Sequence, residues 1–504
     1  MKKIIYTFIL AGMMLSAQRM DAFCGFYVAK ADATLFNNKS EVILVRNGDY
    51  TVVTMGSDFK GDVRDFAMVV PVPVVLGRGD ISIVDRGIFD RLDAYSSPRL
   101  AEYYDADPCM RDRGWIEDME RSNYPSQMMD KDESVSVTAN KKYNVTIEAQ
   151  YTVGEYDILL LSAHESVGLK NWLTDNGYKI PAKAERVLAP YIKSNMKFFV
   201  VKVNLSEMKK SGYDALRPIQ IRFNHPKFML PLRLGMANSQ GTQDMLVYAF
   251  SANGRVECSN YRNVKMPTDR SIPVYVKNDF GAFYKDVFET AYEREGKNAV
   301  FLEYAWNVTP TWGGMKCDPC VGPPPLNQDF YMAGVNWFSP NQPNTVFFTR
   351  MHVRYDEAHF PADLNFMVTS NQENFQARYV LQNPAIGFEG WACEEGQQYL
   401  VQLHDRRKME MDELYAMTGG RFAYRYSYIR EYDGFVKNPP GEWSNDSDDL
   451  KEDYGMPTKK GGILPESVLP DWEGQTQSWN GLDGMLFLGI VAIFVLVFRT
   501  KSNP

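Results

Sequence analysis

The chain has 504 residues, 45% of them hydrophobic and 13% aromatic, enough for a large folded core and unlike a disordered or fibrous protein. Its formal net charge of −8 offers no basic surplus to phosphate backbones, which argues against nucleic acid as a partner. Loss of residues 1–22 would leave the remainder more acidic still, because Lys2, Lys3 and Arg19 go with a single acid, Asp21.

The chain opens on Lys2-Lys3, the apolar run Ile4–Leu15 and small residues near Ala17 and Ala22, the three parts of a secretory signal. Residues 1–22 are expected to be a signal peptide, cleaved after Ala22 or Ala17. Phe23, standing just before Cys24, argues against lipid attachment. The start of the body reads as β-rich. Glu41–Arg46 and Tyr50–Phe59 form a hairpin through Asn47-Gly48, the dipeptide that best tolerates positive φ. Phe66–Leu76 is strand-like, and Pro71 and Pro73 place it at an edge or end it there, since proline cannot donate to a ladder. Arg86–Tyr95 and Pro98–Tyr104 read as short helices, the second with proline in its first turn.

Residues 105–142 are charged, rich in Met and Ser and without sustained periodicity, and read as a long loop held at its start by Cys109. Tyr143–Val153 and Tyr156–Ser162 read as strands, Glu165–Asn176 as a helix stopped by Gly177, and Ala182–Ser194 as a helix interrupted near Pro190. Lys197–Asn204, Pro218–Asn224 and Met245–Ser251 are further strands. The cleanest helix is Phe280–Glu295, where Phe280, Phe283, Val287, Phe288 and Tyr292 recur at helical spacing. Asn278 or Asp279 would cap it and Gly296 close it. Val300–Trp306, Val346–Tyr355, Asn374–Leu381 and Tyr399–Leu403 read as strands, and Arg406–Met417 as a last helix before Gly419-Gly420.

From about Phe435 the chain turns rich in Pro, Gly and Asp, so 435–483 is expected to be a disordered stalk. Residues 484–498 are an apolar run followed by Arg499 and Lys501. At about 1.5 Å per residue it covers only about 22 Å, short for a span. Its polar approach and basic exit nonetheless fit one transmembrane helix with a cytoplasmic C-terminus. The rest divides into a β-rich exported lobe, 23–268, and a second α+β lobe, 269–434, parting near Thr268.

Several stretches carry a joint pattern: Ala22–Val28 (AFCGFYV), Asp65–Pro73 (DFAMVVPVP), Leu92–Cys109 (LDAYSSPRLAEYYDADPC), Val300–Trp306 (VFLEYAW), Cys317–Cys320 (CDPC), Val346–Tyr355 and Asn374–Leu381 (NFQARYVL). Together they resemble the bacterial family called domain of unknown function 2330, from about Cys24 to Leu403. The resemblance implies an exported or envelope-anchored protein and brings no established activity or catalytic residue.

Six cysteines, Cys24, Cys109, Cys258, Cys317, Cys320 and Cys393, survive removal of the signal and are disulfide candidates in an oxidising compartment. Cys317-Asp318-Pro319-Cys320 is the sharpest local motif. A redox-active pair normally opens a helix that lowers the thiolate pKa, but Val321-Gly322-Pro323-Pro324-Pro325 follows here and forbids one. A structural disulfide is the favoured reading, ahead of thiol chemistry or a metal site. His352, Asp356 and His359 lie close enough in sequence for a metal set, yet the segment reads as a strand entering a loop, which favours surface or hydrogen-bonded histidines. His164-Glu165 lacks the second histidine of a metalloprotease helix, and His404-Asp405 has no assigned nucleophile. Gly-x-Ser-x-Gly, Walker and dinucleotide fingerprints are absent from the sequence.

The expected fold is α+β, mainly antiparallel strands with several short helices in two packed lobes, plus a C-terminal membrane helix. The expected function is a membrane-anchored envelope module that binds or supports another envelope protein or a surface polymer without catalysis and without a cofactor. The alternative is an envelope enzyme, a thiol–disulfide oxidoreductase through Cys317 and Cys320 or a hydrolase whose site forms only on folding.

Overall fold

The structure is a computed structural model that describes residues 26–27, 40–56, 67–109, 144–176, 184–211, 216–237, 241–310, 324–339, 344–385 and 393–430. The expected signal peptide, stalk and membrane helix lie outside these residues, as do Cys24, Cys317 and Cys320. All described residues fall in one compact unit, Met1–Pro439.

Long apolar strands such as VILV and MLVYAF have no polar face, so each needs cover on both sides. The chain supplies it with two sheets laid face to face and helices outside each. The larger sheet has nine strands. Its main path runs β14 (Arg262–Lys265), β16 (Ala299–Val308), β17 (Val346–Tyr355), β12 (Gln243–Ser251), β2 (Ser40–Asn47), β3 (Tyr50–Gly56), β10 (Ile219–Asn224) and β5 (Ile81–Ile83). The short β19 (Phe375–Gln376) joins β16 off that path. Strands from both sides of Thr268 interleave in this sheet. The second sheet orders β1 (Phe26–Tyr27), β4 (Ala67–Val72), β9 (Lys197–Val203), β8 (Tyr156–Ala163) and β7 (Val145–Val153). Two further three-stranded sheets lie among the described residues: β11 (Met229–Leu230), β18 (Leu364–Val368) and β13 (Val256–Cys258), and β15 (Arg270–Ser271), β20 (Arg378–Asn383) and β6 (Arg99–Tyr104). The fold is therefore α+β, mostly sheet, and not a barrel.

Period two sorts each strand between layers. Val42 and Leu44 of β2, Met245, Val247 and Ala249 of β12, and Met351, Val353 and Tyr355 of β17 face the second sheet, meeting Met68, Val70, Ile158, Leu160, Phe199 and Val201. The alternate residues Ile43, Val45, Leu246, Tyr248 and Phe250 face outward beneath α1 (Gly87–Ser96) and α7 (Asn327–Ala333). Farther along that outer face, α6 (Phe280–Arg294) and α8 (Glu394–Thr418) share a core with Phe301 of β16 and with Tyr379 of the neighbouring three-stranded sheet. On the far side of the second sheet, α2 (Ser166–Asp175) and α3 (Ala184–Lys193) bury Leu169, Trp172, Leu188 and Tyr191. The remaining short helices are α4 (Leu205–Ser211), α5 (Arg233–Ala237) and α9 (Tyr426–Arg430).

The hairpin at Asn47-Gly48 forms as the sequence predicts, with β2 antiparallel to β3 and Gly48 at φ +57°. β4 ends at Val72, before Pro73. Its Pro71 pairs with Phe198 on one side, while β1 reaches only Met68 and Val69 on the other. Several expectations are corrected. Arg99–Tyr104 is a strand rather than a helix: it pairs in parallel with β20, and this long-range ladder overrides the proline signal. Tyr399–Leu403 lies inside α8 rather than in a strand, because Leu400, Leu403, Arg407, Met411 and Leu414 bury one face at helical spacing across the whole segment. α3 runs through Pro190 without interruption, with Leu188 and Tyr191 buried on either side of it. Asp279 precedes α6 but makes no side-chain cap; a 3-10 segment, Val274–Asp279, leads in instead.

Cys109 and Cys393 form a disulfide that joins the end of the β6 segment to the start of α8 across 284 residues of sequence. Among the described cysteines, Cys258 is a free, buried thiol. Burial pushes its pKa up.

Gly254 supplies a stability test. It sits at φ +154°, and a Cβ there would lie 2.5 Å from the Thr369 carbonyl oxygen. Gly254→Ala is expected to lose about 1–3 kcal/mol of folding free energy, read as a lower urea midpoint with an unchanged slope.

Candidate functional site

The densest polar construction among the described residues lies between the outer face of the large sheet and the helices above it. Strand β17 carries three cations at alternate positions, Arg350, His352 and Arg354, while Met351, Val353 and Tyr355 point the other way into the inter-sheet core. Alternation therefore aligns the cations in one column under α1 and α6.

Carboxylates meet this column from both neighbouring strands. On β16 the register slips between Leu302 and Tyr304, leaving Glu303 as the extra residue of a bulge. A bulge re-aims the side chain it carries. Glu303, 1% exposed, accepts from Arg350 Nε at 2.6 Å and from Tyr284 Oη of α6 at 2.6 Å, and faces His352 Nδ1 at 3.1 Å. On β12, Asp244 faces His352 Nε2 at 3.0 Å and accepts two parallel bonds from Arg354, 2.9 Å from Nε and 3.0 Å from Nη2. Arg350 Nη1 donates onward to Asp93 of α1 at 2.7 Å, and Arg354 pairs with Glu289 of α6. Tyr248 donates to Asp93 at 3.0 Å and lies 3.2 Å from Glu41, which in turn pairs with Arg86 at 3.0 Å.

The electrostatics follow from this placement. Burial alone would push the Glu303 carboxyl up, but the Arg350 charge and the hydrogen bonds of His352 and Tyr284 bring it down to about 2. Burial opposes ionisation of Asp244 as well, and His352 and Arg354 together hold it well below the usual carboxylate range. Burial pulls His352 down, yet its bonds to Asp244 and Glu303 outweigh that and leave its pKa raised. An imidazole with a carboxylate on each nitrogen is best satisfied as the cation, donating from both. The His352 ring also stacks on Phe288 of α6 at 3.9 Å between centroids, and the Arg354 guanidinium lies over the same ring.

His352 is thus placed with residues far from it in sequence. Asp356 and His359 are elsewhere, bonded to each other at 2.8 Å in the turn after β17. The three do not converge, and among the described residues no group of His, Cys, Asp and Glu is arranged to hold a metal. His404 lies buried in α8 with its Nδ1 3.5 Å from Asp405. Cys317 and Cys320 fall outside the described residues. Sequence reading missed Asp244, Glu303, Arg350, Arg354 and Asp93. Two signals were present: a charge in the apolar run VFLEYAW, and cations at every second position of a strand.

Chemically the set is closed. Each of its cations, Arg350, His352 and Arg354, has at least one carboxylate partner among Glu303, Asp244, Asp93 and Glu289. A small cavity lies on the opposite side of the large sheet, between Val53, Ile221, Pro71 and Met196, and at about 20 Å³ has room for roughly one water.

A family model described as "Uncharacterized protein conserved in bacteria (DUF2330)" matches residues 18–367. It takes in every stretch that carried the resemblance except Asn374–Leu381. No curated protein and no solved structure matches the chain.

Glu303→Gln would strip Arg350 and His352 of their shared, most buried carboxylate and leave them only Asp93 and Asp244, and a loss of about 3 kcal/mol in urea unfolding is expected. The pH dependence has two arms. Because the folded pKa of His352 is raised above 6.5, its contribution is complete below 6.5 and lost as pH rises through the folded value. Because Glu303 is lowered from 4.5 to about 2, its contribution is complete above 4.5 and lost as pH falls toward 2. Urea midpoints across pH should show both declines in the wild type, and His352→Gln should remove the alkaline one.

Proposed function

The chain belongs to the uncharacterized bacterial family DUF2330, and from that premise we propose that it is an exported envelope protein whose folded body acts as a non-catalytic binding or structural module. The body stands outside the cytoplasm, joined through the 435–483 stalk to a membrane helix at 484–498. Its partner is another envelope protein or a surface polymer.

One observation carries the reading: the Cys109–Cys393 bridge, half-exposed at the rim of α8, closes a loop of 284 residues. A cross-link of that kind persists in an oxidising compartment and is uncommon in the reducing cytosol. In the chain-entropy account it removes on the order of 5 kcal/mol of unfolded-state freedom. The apolar run 4–15 and the basic residues after 498 support the same placement from sequence alone. Non-catalysis is supported by the closed charge network. A general base needs a free lone pair facing substrate, and both nitrogens of His352 are engaged by carboxylates.

The test is a non-reducing peptide map of protein isolated from the membrane fraction, together with protease treatment of cells opened to the periplasmic side. A linked Cys109–Cys393 peptide, an alkylatable Cys258 and loss of the body with survival of a C-terminal tag are expected. Recovery of the intact chain in the cytosol with Cys109 and Cys393 both alkylated would refute the proposal.

A further inference from the structure

We propose that the joint between α8 and α9, the last described element of the body, is an acid-closed latch operated by Glu410. Glu410 is 1% exposed on α8. Its Oε2 accepts from Tyr428 Oη of α9 at 2.5 Å, while Oε1 is buried without a hydrogen-bond partner. The nearest cation, Arg406 Nε, lies 3.6 Å from that oxygen, and the rest of its guanidinium is committed to Asp105, at 2.7 and 3.2 Å. Arg407 is likewise occupied: its Nη1 donates to the Tyr428 carbonyl at 2.7 Å and its plane covers the Tyr428 ring.

The groups that face Glu410 are therefore Arg406 and Arg407 on its own helix, Tyr428 from α9 and Asp105 from the segment after β6. Tyr275 of the 3-10 segment stands behind Tyr428, with ring centroids 5.4 Å apart. Helix α6 and strand β15 also pack on α8, with Glu293 paired to Arg421, Arg294 donating to the Ala416 carbonyl, Glu289 paired to Arg354 and Arg270 paired to Glu413. Ionised, Glu410 is a buried anion with one neutral donor, two cations, of which Arg406 is shared with Asp105 and Arg407 is bonded to the Tyr428 carbonyl, and Asp105 itself as a repelling neighbour. Neutral, it needs only Tyr428. Moving α9 aside would admit water to the unmet oxygen, so ionisation favours the open joint and protonation the closed one.

Burial pushes the Glu410 carboxyl up to about 7 against the opposing pull of Tyr428, Arg406 and Arg407. The folded value exceeds the ordinary 4.5, so closure is strongest below 4.5, weakens as pH rises from 4.5 toward 7 and levels off above. The device lies where the folded body passes into the C-terminal segment, so the hold on that segment would tighten in acid. This goes beyond the envelope role proposed above and does not depend on the nature of the partner.

Hydrogen–deuterium exchange on the intact chain tests it, with rates corrected for intrinsic pH dependence. In peptides covering 421–430, Glu410→Gln should exchange at least about tenfold more slowly than wild type at pH 8, with a much smaller difference at pH 5, since tenfold answers to a single pKa unit and the rise from 4.5 to about 7 exceeds that. Equal rates at pH 8 would overturn the proposal. Wild type alone gives a second reading that needs no variant: exchange in 421–430 relative to Val346–Tyr355 should rise between pH 5 and 8, and a flat ratio overturns the latch. Tyr428→Phe should raise exchange of 421–430 at pH 5, and an unchanged rate there counts against it equally.

Discussion

The body depends on how Glu303 is held. Among the described residues it is the carboxylate that touches Arg350, His352 and α6 together, through Arg350 Nε, His352 Nδ1 and Tyr284 Oη. Without it, Arg350 and His352 would face the aromatic layer of Phe288, Phe301, Tyr304 and Phe348 with only the more exposed Asp93 and Asp244 to meet them. A buried ion set of this kind is not a large source of net stability, since desolvation consumes most of the Coulomb gain. Its effect lies in what it forbids. A one-residue slip of β17 would turn Arg350, His352 and Arg354 into the inter-sheet core among Val247, Leu302 and Val201, with no carboxylate to meet them. The charges fix register at the centre of the sheet, and the register fixes which face each helix covers.

The same set ties layers that hydrophobic contact alone would leave free to slide. Arg350 reaches Asp93 on α1, Arg354 reaches Glu289 on α6, and Tyr284 of α6 reaches back to Glu303. Apolar burial is nondirectional, so Phe288 would pack against several neighbouring positions at similar cost. Hydrogen bonds with defined angles select one. The Cys109–Cys393 bridge and the Asp105–Arg406 pair do the equivalent at the start of α8, where Asp105 also accepts from Tyr399 and Gln382.

The elements that sequence made legible are those whose local signal and tertiary use agree. The Asn47-Gly48 hairpin, the strands around Val300 and Val346, and the Phe280 helix all formed where pattern placed them. The failures share a cause. Arg99–Tyr104 carries a helix-start proline, but a partner strand nearly 280 residues away decides its state. Tyr399–Leu403 reads as strand in a five-residue window and as helix once Arg407, Met411 and Leu414 are counted. Connections between distant segments have no local signature, which is why the layer order was not legible.

The charged column shows the same limit from the side of chemistry. Proximity in sequence grouped His352 with Asp356 and His359, because a helix or loop would bring such neighbours together. On a strand, side chains two apart share a face and those on paired strands touch, so the partners of His352 are Glu303 and Asp244, 49 and 108 residues away. The informative sign was the alternation of Arg350, His352 and Arg354 in a strand too apolar to be solvated. A strand covered on both faces has no water for three cations, which obliges its neighbours to supply anions. Glu303 and Asp244 are the charges that β16 and β12 place on the same outer face as that column, so the pairing follows from burial and alternation once the strand order is known.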